Sequence, residues 1–324
     1  MSKHPITENL LNGTIAKEPV GDEQGYWAGA PGWYWDKQDQ VSYICYRIRR
    51  PRGIDPDRGG ESRIAKTSDF KTFEDVWSVH KDIYESASIE KSILRRGNDG
   101  VFRYLTSYVA PEDGRWCVTI NKSDNIGSLD AGKTQRLFTA TDLGLEGIKD
   151  PWILEENGKY HLFLSAAINT ASTKDSSHDT LDIFNTGECI SATALATSDD
   201  LDNWNYQGII LKPEGDSAWD KYCRRINSVL PLNGKYYAFY DGSEGHHQNY
   251  EERTGLAVST DLKNWEILSP DEPCITSPYA TGSLRYIDAQ HHENEIRFMY
   301  ELTRANGSHE MRTTSFSAEG FSLE

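Results

Sequence analysis

Two acidic residues, Glu90 and Asp150, stand at matching places just ahead of two apolar runs, Ser92-Ile93-Leu94 and Trp152-Ile153-Leu154. Two arginines, Arg225 and Arg285, stand near the matching places of two later runs. Paired carboxylates between aromatic walls are what cleavage of a glycosidic bond requires. One protonates the leaving oxygen, and the other activates water or attacks carbon. Like charges held close raise one pKa and leave an acid that is still protonated near neutrality. Trp33, Trp35 and Trp152 would offer flat apolar faces to sugar rings, and Arg225, Asn227 and Arg285 would hold polar groups. Asp36 at the first hairpin is a further carboxylate. Glu244 and His246, in the segment Asp241-Gly242-Ser243-Glu244-Gly245-His246-His247, are further proton carriers, because imidazole titrates near neutrality.

These residues gain meaning from a repeat. Five times the chain runs through a strand, a tight polar turn and an aromatic strand, as in Trp152-Ile153-Leu154, Asn157-Gly158-Lys159 and Tyr160-His161-Leu162-Phe163-Leu164. Asn-Gly between alternating apolar runs is a strong hairpin signal, because both turn residues need positive φ. Three copies close on a Ser/Thr-Asp turn followed by an aromatic, as in Ser259-Thr260-Asp261-Leu262-Lys263-Asn264-Trp265. The turns fall near residues 38, 98, 157, 233 and 294, a period of about 60 that fits four-stranded propeller blades. The spacing predicts an all-β, five-bladed β-propeller. It forms one domain over residues 1–324, with 1–24 as an N-terminal extension. In such a ring the inner strands start beside a shared axis, which brings Ala30-Pro31, Glu90-Lys91, Asp150-Pro151, Arg225-Ile226-Asn227 and Gly282-Ser283-Leu284-Arg285 together. The longer gap before the fourth turn holds a polar insertion near residues 167–179, and a second irregular stretch spans residues 49–60. The first is read either as a functional loop or as a solvated surface excursion, and the second either as a rim of the pocket or as a contact with another subunit.

The segment Lys149-Asp150-Pro151-Trp152-Ile153-Leu154-Glu155-Glu156-Asn157-Gly158-Lys159-Tyr160-His161-Leu162 resembles a blade of the five-bladed propeller glycosidases. These are glycoside hydrolase family 43 and its relatives in families 32, 68, 117 and 130. The ending Thr260-Asp261-Leu262-Lys263-Asn264-Trp265 resembles theirs as well. The resemblance implies an inverting, exo-acting glycoside hydrolase with three acidic residues on blades one, three and four, acting as base, pKa modulator and acid. Asp150 matches the blade-three position. Ala30-Pro31 stands where Asp-Pro is expected, and Arg225-Ile226-Asn227 stands where Glu-Gly-Pro is expected. Substitutes from Glu90, Asp36, Glu244 or His246 would restore hydrolysis. The alternatives are a phosphorylase, with Lys149, Arg225 and Arg285 holding phosphate, a carbon–oxygen lyase on an acidic sugar, and a non-catalytic sugar-binding propeller. No cofactor is expected. The resemblance leaves room for a structural Ca²⁺ or Na⁺ in the channel, for which no ligand loop is visible.

Composition narrows the field. Lys plus Arg total 34 against 50 Asp plus Glu, a net charge of −16, which argues against nucleic acid or an anionic membrane as partner. A carbohydrate small molecule is the expected partner, and oligomeric state is left open. The five Cys are widely spaced with no CxxC pair, so a structural zinc is not expected. The opening residues lack the apolar core of a secretion signal, which predicts a reducing, cytoplasmic location.

Overall fold

The computed structural model describes residues 4–215 and 218–323. Four-stranded antiparallel sheets follow one another along the chain. Blade one is Trp27–Asp36, Val41–Arg50, Arg58–Thr67 and Glu74–His80. Blade two is Ile89–Arg96, Phe102–Val109, Trp116–Ser123 and Gln135–Phe138. Blade three is Gly147–Glu156, Lys159–Asn169, Cys189–Ser198 and Asn205–Leu211. Blade four is Cys223–Leu232, Lys235–Ser243, Arg253–Ser259 and Glu266–Ile267. Blade five is Leu284–His292, Glu295–Thr303 and His309–Ser317. Its fourth strand is Thr14–Lys17, which pairs antiparallel with His309–Ser317. The sequence reading left this segment in an N-terminal extension; its short, half-exposed, polar pattern hides the strand.

The ring closes through packing as well as pairing. Ile93 and Leu105 of blade two pack with Ile148 and Leu162 of blade three, and Trp152 and Phe163 with Val229 and Tyr240 of blade four. Leu230 and Phe239 pack with Ile287 and Phe298 of blade five, whose Met299 and Met311 meet Ala28, Trp33 and Ile44 of blade one. Cys45 and Ile64 of blade one then pack with Leu94 and Tyr104 of blade two. Trp27 also bridges to His309 in parallel. Burying apolar faces between neighbouring sheets all the way round is what holds a five-bladed β-propeller together.

The repeat's two signatures have structural work. Asn157-Gly158 and Asn233-Gly234 take φ of 51° and 72°, and of 51° and 77°, as two-residue hairpin loops need. The Ser/Thr-Asp turns are capped by their own side chains. Asp261 Oδ1 accepts from the Lys263 and Asn264 amides at 2.9 and 2.8 Å, and Asp200 and Asp69 repeat the arrangement.

Candidate functional site at the propeller axis

Every inner strand carries a bulge at the same depth. Pairing with the second strand skips Ala30-Pro31, Glu90-Lys91, Asp150-Pro151, Asn227 and Tyr286-Ile287. Three of these non-glycine residues, Ala30, Asp150 and Tyr286, adopt φ of 52–53°. Left-handed backbone at equivalent points of three blades is a strain that functional sites retain. On blade five, Tyr286 occupies the bulge and Arg285 precedes it, as Lys149 precedes Asp150. The sequence alignment set Arg285 itself at this level, one residue early.

Glu90 and Asp150 come together. Lys149 Nζ lies 3.6 Å from Glu90 and 3.8 Å from Asp150, so their carboxylates are no farther apart than those two lengths laid end to end. That upper limit admits the roughly 6.5–9.5 Å of inverting pairs and equally the roughly 5–5.5 Å of retaining ones. Glu90 also contacts Arg47. Both oxygens of Asp150 are buried without a hydrogen-bond donor among the described residues.

Near the blade-one and blade-four positions the structure places carboxylates of the second strands, Glu301 and Asp241. Glu301 fills the space beside Ala30, whose amide donates to it at 3.0 Å. A Cβ on Gly29 would sit 1.9 Å from that carboxylate, so glycine is required there. Glu301 also accepts from Arg285 at 2.7 and 2.9 Å and meets His309 Nδ1 at 2.6 Å. On blade four, Asp241 lies directly across from Arg225 and accepts the Tyr286 amide at 3.1 Å, while its second oxygen has no partner. Burial and the charge of Glu252 push Asp241 up to about 7. Burial also raises Glu252, but Arg225 and Arg285, both in contact with it, outweigh that and bring it to about 2. Two neighbouring acids with pKa values driven apart supply a proton donor and a fixed anion. Asp241 and Glu301 each follow a Tyr within the second strand, in Tyr240-Asp241 and Tyr300-Glu301. Tyr46-Arg47 is the blade-one counterpart. The sequence carries this signal, which an alignment of inner strands alone passes over.

Tyr286 links the acids. Its amide binds Asp241, and the charge of Asp150 adds to the burial that raises its phenol. Beneath them lies Lys91, fully buried, with Nζ donating to Asn227 O at 3.2 Å. Burial lowers its pKa, against the pull of Asp288, Asp150 and Asp241. Lower still, Asp288 accepts from the Trp33 amide at 2.6 Å and from Trp152 Nε1 at 2.9 Å.

The aromatic platform is corrected by these contacts. Trp33 and Trp152 are buried in the interblade cores, on Phe70 and Phe163 respectively. Trp33 packs toward blade five and Trp152 toward blade four, so neither ring is free as a platform. Trp35 is half-buried at the opposite mouth, in a cavity of about 420 Å³ with Tyr34, Glu155 and Gln290. Asp36 ends the same strand and pairs with Arg96 at 3.2 Å, far down the strand from the bulge. Glu244 and His246 are exposed on the loop after the second strand of blade four, Glu244 pairing with Lys221 at 3.4 Å. The aromatics near the charged cluster are instead Trp27, Trp116, Phe184, Tyr250 and Tyr286. Trp27 stacks on His309 at 4.7 Å, and Lys149 sits 4.8 Å from Trp116 and 4.7 Å from Phe184.

Arg225 and Arg285 lie in the cluster with Asn227, held by Glu252 and Glu301 and not by Glu90 and Asp150. Phosphate would have to compete with those glutamates. The insertion lies between Asn169 and Cys189, later than the expected 167–179 because the strand Lys159–Asn169 takes up its first residues; in it Asp182, Ile183 and Phe184 are buried, and Asp182 meets Arg58 at 3.4 Å, Trp116 Nε1 at 3.2 Å and the Tyr250 hydroxyl. Arg58 of the irregular blade-one stretch also donates to Leu181 O at 2.9 Å, so the two loops join. Among the described residues no three His, Cys, Asp or Glu side chains are arranged to hold a metal ion.

Comparison with protein-family models and with curated proteins finds no match. Solved structures do match. A thermostable family-43 glycoside hydrolase has a TM-score of 0.64 at 13% identity, over 93% of this chain and 92% of that one. A GH43_1 enzyme from Xanthomonas citri, complexed with xylotriose, has a TM-score of 0.60 at 11% identity, over 95% and 93%. A third, described with the GH130 family of mannoside phosphorylases and with glycoside hydrolases that target β-1,2 mannosidic linkages in Candida mannan, scores 0.61 at 13% identity, over 99% and 94%. The chain has the fold of the five-bladed propeller glycoside hydrolases.

Proposed function

We propose that this protein is a glycoside hydrolase that cleaves a short oligosaccharide or glycoside in the axial pocket. The observation that carries the reading is the convergence of Asp150 and Asp241 on Tyr286. One acid has both oxygens free of donors, and the other is pushed up to about 7 by burial and Glu252. Asp241 delivers the proton to the leaving oxygen, and Asp150 takes a proton from the attacking water, which gives inversion. Glu90, tied to Arg47, holds Lys149 beside Asp150. The Arg225, Glu252, Arg285, Glu301 and His309 network fixes the wall against which a sugar would seat. We place the protein in a reducing compartment, in keeping with five free cysteines, four of them buried. No helix among the described residues is long and apolar enough to cross a membrane.

The test is turnover on a panel of aryl glycosides and short oligosaccharides, with D150N and D241N beside the parent. Cleavage by the parent, reduced about 10²–10⁴-fold in each variant, is expected of an acid and base. Cleavage that both variants retain in full would remove the assignment.

A further inference from the structure

The buried arginines of this region are paired with carboxylates, with one exception. Arg47, Arg225 and Arg285 contact Glu90, Glu252 and Glu301, and Arg58 meets Asp182. Arg49 is 7% exposed and has no carboxylate within ion-pair distance among the described residues. Its guanidinium lies 4.1 Å from the Trp27 ring and 4.7 Å from the Tyr250 ring, and it donates a long hydrogen bond, 3.5 Å, to Gly25 O. Burial, with the charges of Arg47 and Arg285, brings it down to about 10 against the opposing pull of Tyr250 and Asp182. Beside it, Trp27 Nε1 is a second buried donor without a partner.

A buried charge without a partner is costly, and is retained where something else supplies the counter-charge. The two rings touch each other at 5.6 Å, so the guanidinium lies against both from one side, and a guanidinium can bind a planar or tetrahedral oxyanion through two donors. Arg49 is also close to the acids, because Trp27 contacts His309 and lies 4.7 Å from Arg285. On a chain of net charge −16, the stretch 47–58 gathers Arg47, Arg49, Arg50, Arg52 and Arg58 at one mouth.

We propose that Arg49 recognises an anionic substituent, a carboxylate or a sulfate, on the sugar bound at the axis, so that the substrate class is an acidic sugar. This rests on the hydrolase reading for the site but not for the recognition itself. Titration calorimetry on the full chain tests it, with D-galacturonate and D-glucuronate, D-galactose 6-sulfate, and neutral D-galactose and D-glucose. Tighter binding of an acid by tenfold or more is expected, with uronate or sulfate preference naming the source. That preference is lost in R49M and partly kept in R49K, which retains charge but not the second donor; R49K also serves if R49M fails to fold. Equal binding of acidic and neutral sugars, binding of neither class, or a preference that R49M keeps would overturn the proposal. If acids are preferred yet no glycoside is cleaved, the hydrolase reading fails and this one stands. If neutral glycosides are cleaved as fast as uronides and R49M changes nothing, the reverse holds.

Discussion

Replacing Glu301 by Gln removes one charge from the centre of the axial network while keeping its shape. Glu301 accepts from Arg285 at 2.7 and 2.9 Å and from the Ala30 amide at 3.0 Å, and it contacts His309 and Arg47. The side chain is fully buried. Burial alone would raise its pKa, yet Arg285, His309 and Arg47 hold it well below the usual carboxylate range. Taking one partner from a buried charge pair costs about 3–5 kcal/mol, because the remaining cations stay desolvated. An unfolding entropy of about 2.1 cal/mol/K per residue gives roughly 0.7 kcal/mol/K for a chain of this length, so the loss lowers Tm by about 4–7 °C. The sign with pH follows. A lowered folded pKa contributes stability that is present above about 4 and is lost as pH falls through the folded value. The gap between parent and E301Q is therefore widest near neutrality and narrows in acid. Circular dichroism melts at several pH values measure both. An E301Q that melts with the parent at neutral pH, or a gap that widens in acid, would refute the reasoning.

For Asp241 the sign is opposite. Its folded pKa of about 7 lies above the unfolded value of about 4, so stability falls as pH rises between them. D241N should flatten that slope in denaturant unfolding, and the parent's kcat/KM should fall above about pH 7 as the acid is lost. W33A and W152A should each cost about 3–5 kcal/mol of stability, because both rings fill interblade cores. A change confined to KM, with unchanged melting, would return them to a sugar platform. Deleting residues 1–17 unpairs the edge of blade five, and should lower the melting temperature or abolish soluble expression; an unchanged melt would show that the closing strand is dispensable.

The ring was readable because its signals are local. Asn157-Gly158, Asn233-Gly234 and the Ser/Thr-Asp turns force hairpins at a fixed period whatever lies beyond them. The meeting of Glu90 and Asp150 was readable from that period alone. What stayed hidden depends on long-range pairing. Thr14–Lys17 joins a strand about 300 residues away, and four half-exposed residues carry no pattern that announces it. Trp33 and Trp152 were misread because both faces of a propeller blade pack against a neighbouring blade: Trp33 fills the core shared with blade five and Trp152 the core shared with blade four. Asp241 and Glu301 lie on second strands, outside the positions where the family resemblance places its acids. Arg49 gave no sequence signal, since the absence of a partner is a property of the folded site.

The most direct test of the central claim is a crystal structure of D150N with an oligosaccharide or glycoside that the parent cleaves. A sugar seated on the axis, with its glycosidic oxygen beside Asp241 and its reacting carbon facing residue 150, is the predicted result. A sugar bound at the opposite mouth beside Trp35, with the axial acids untouched, would contradict it.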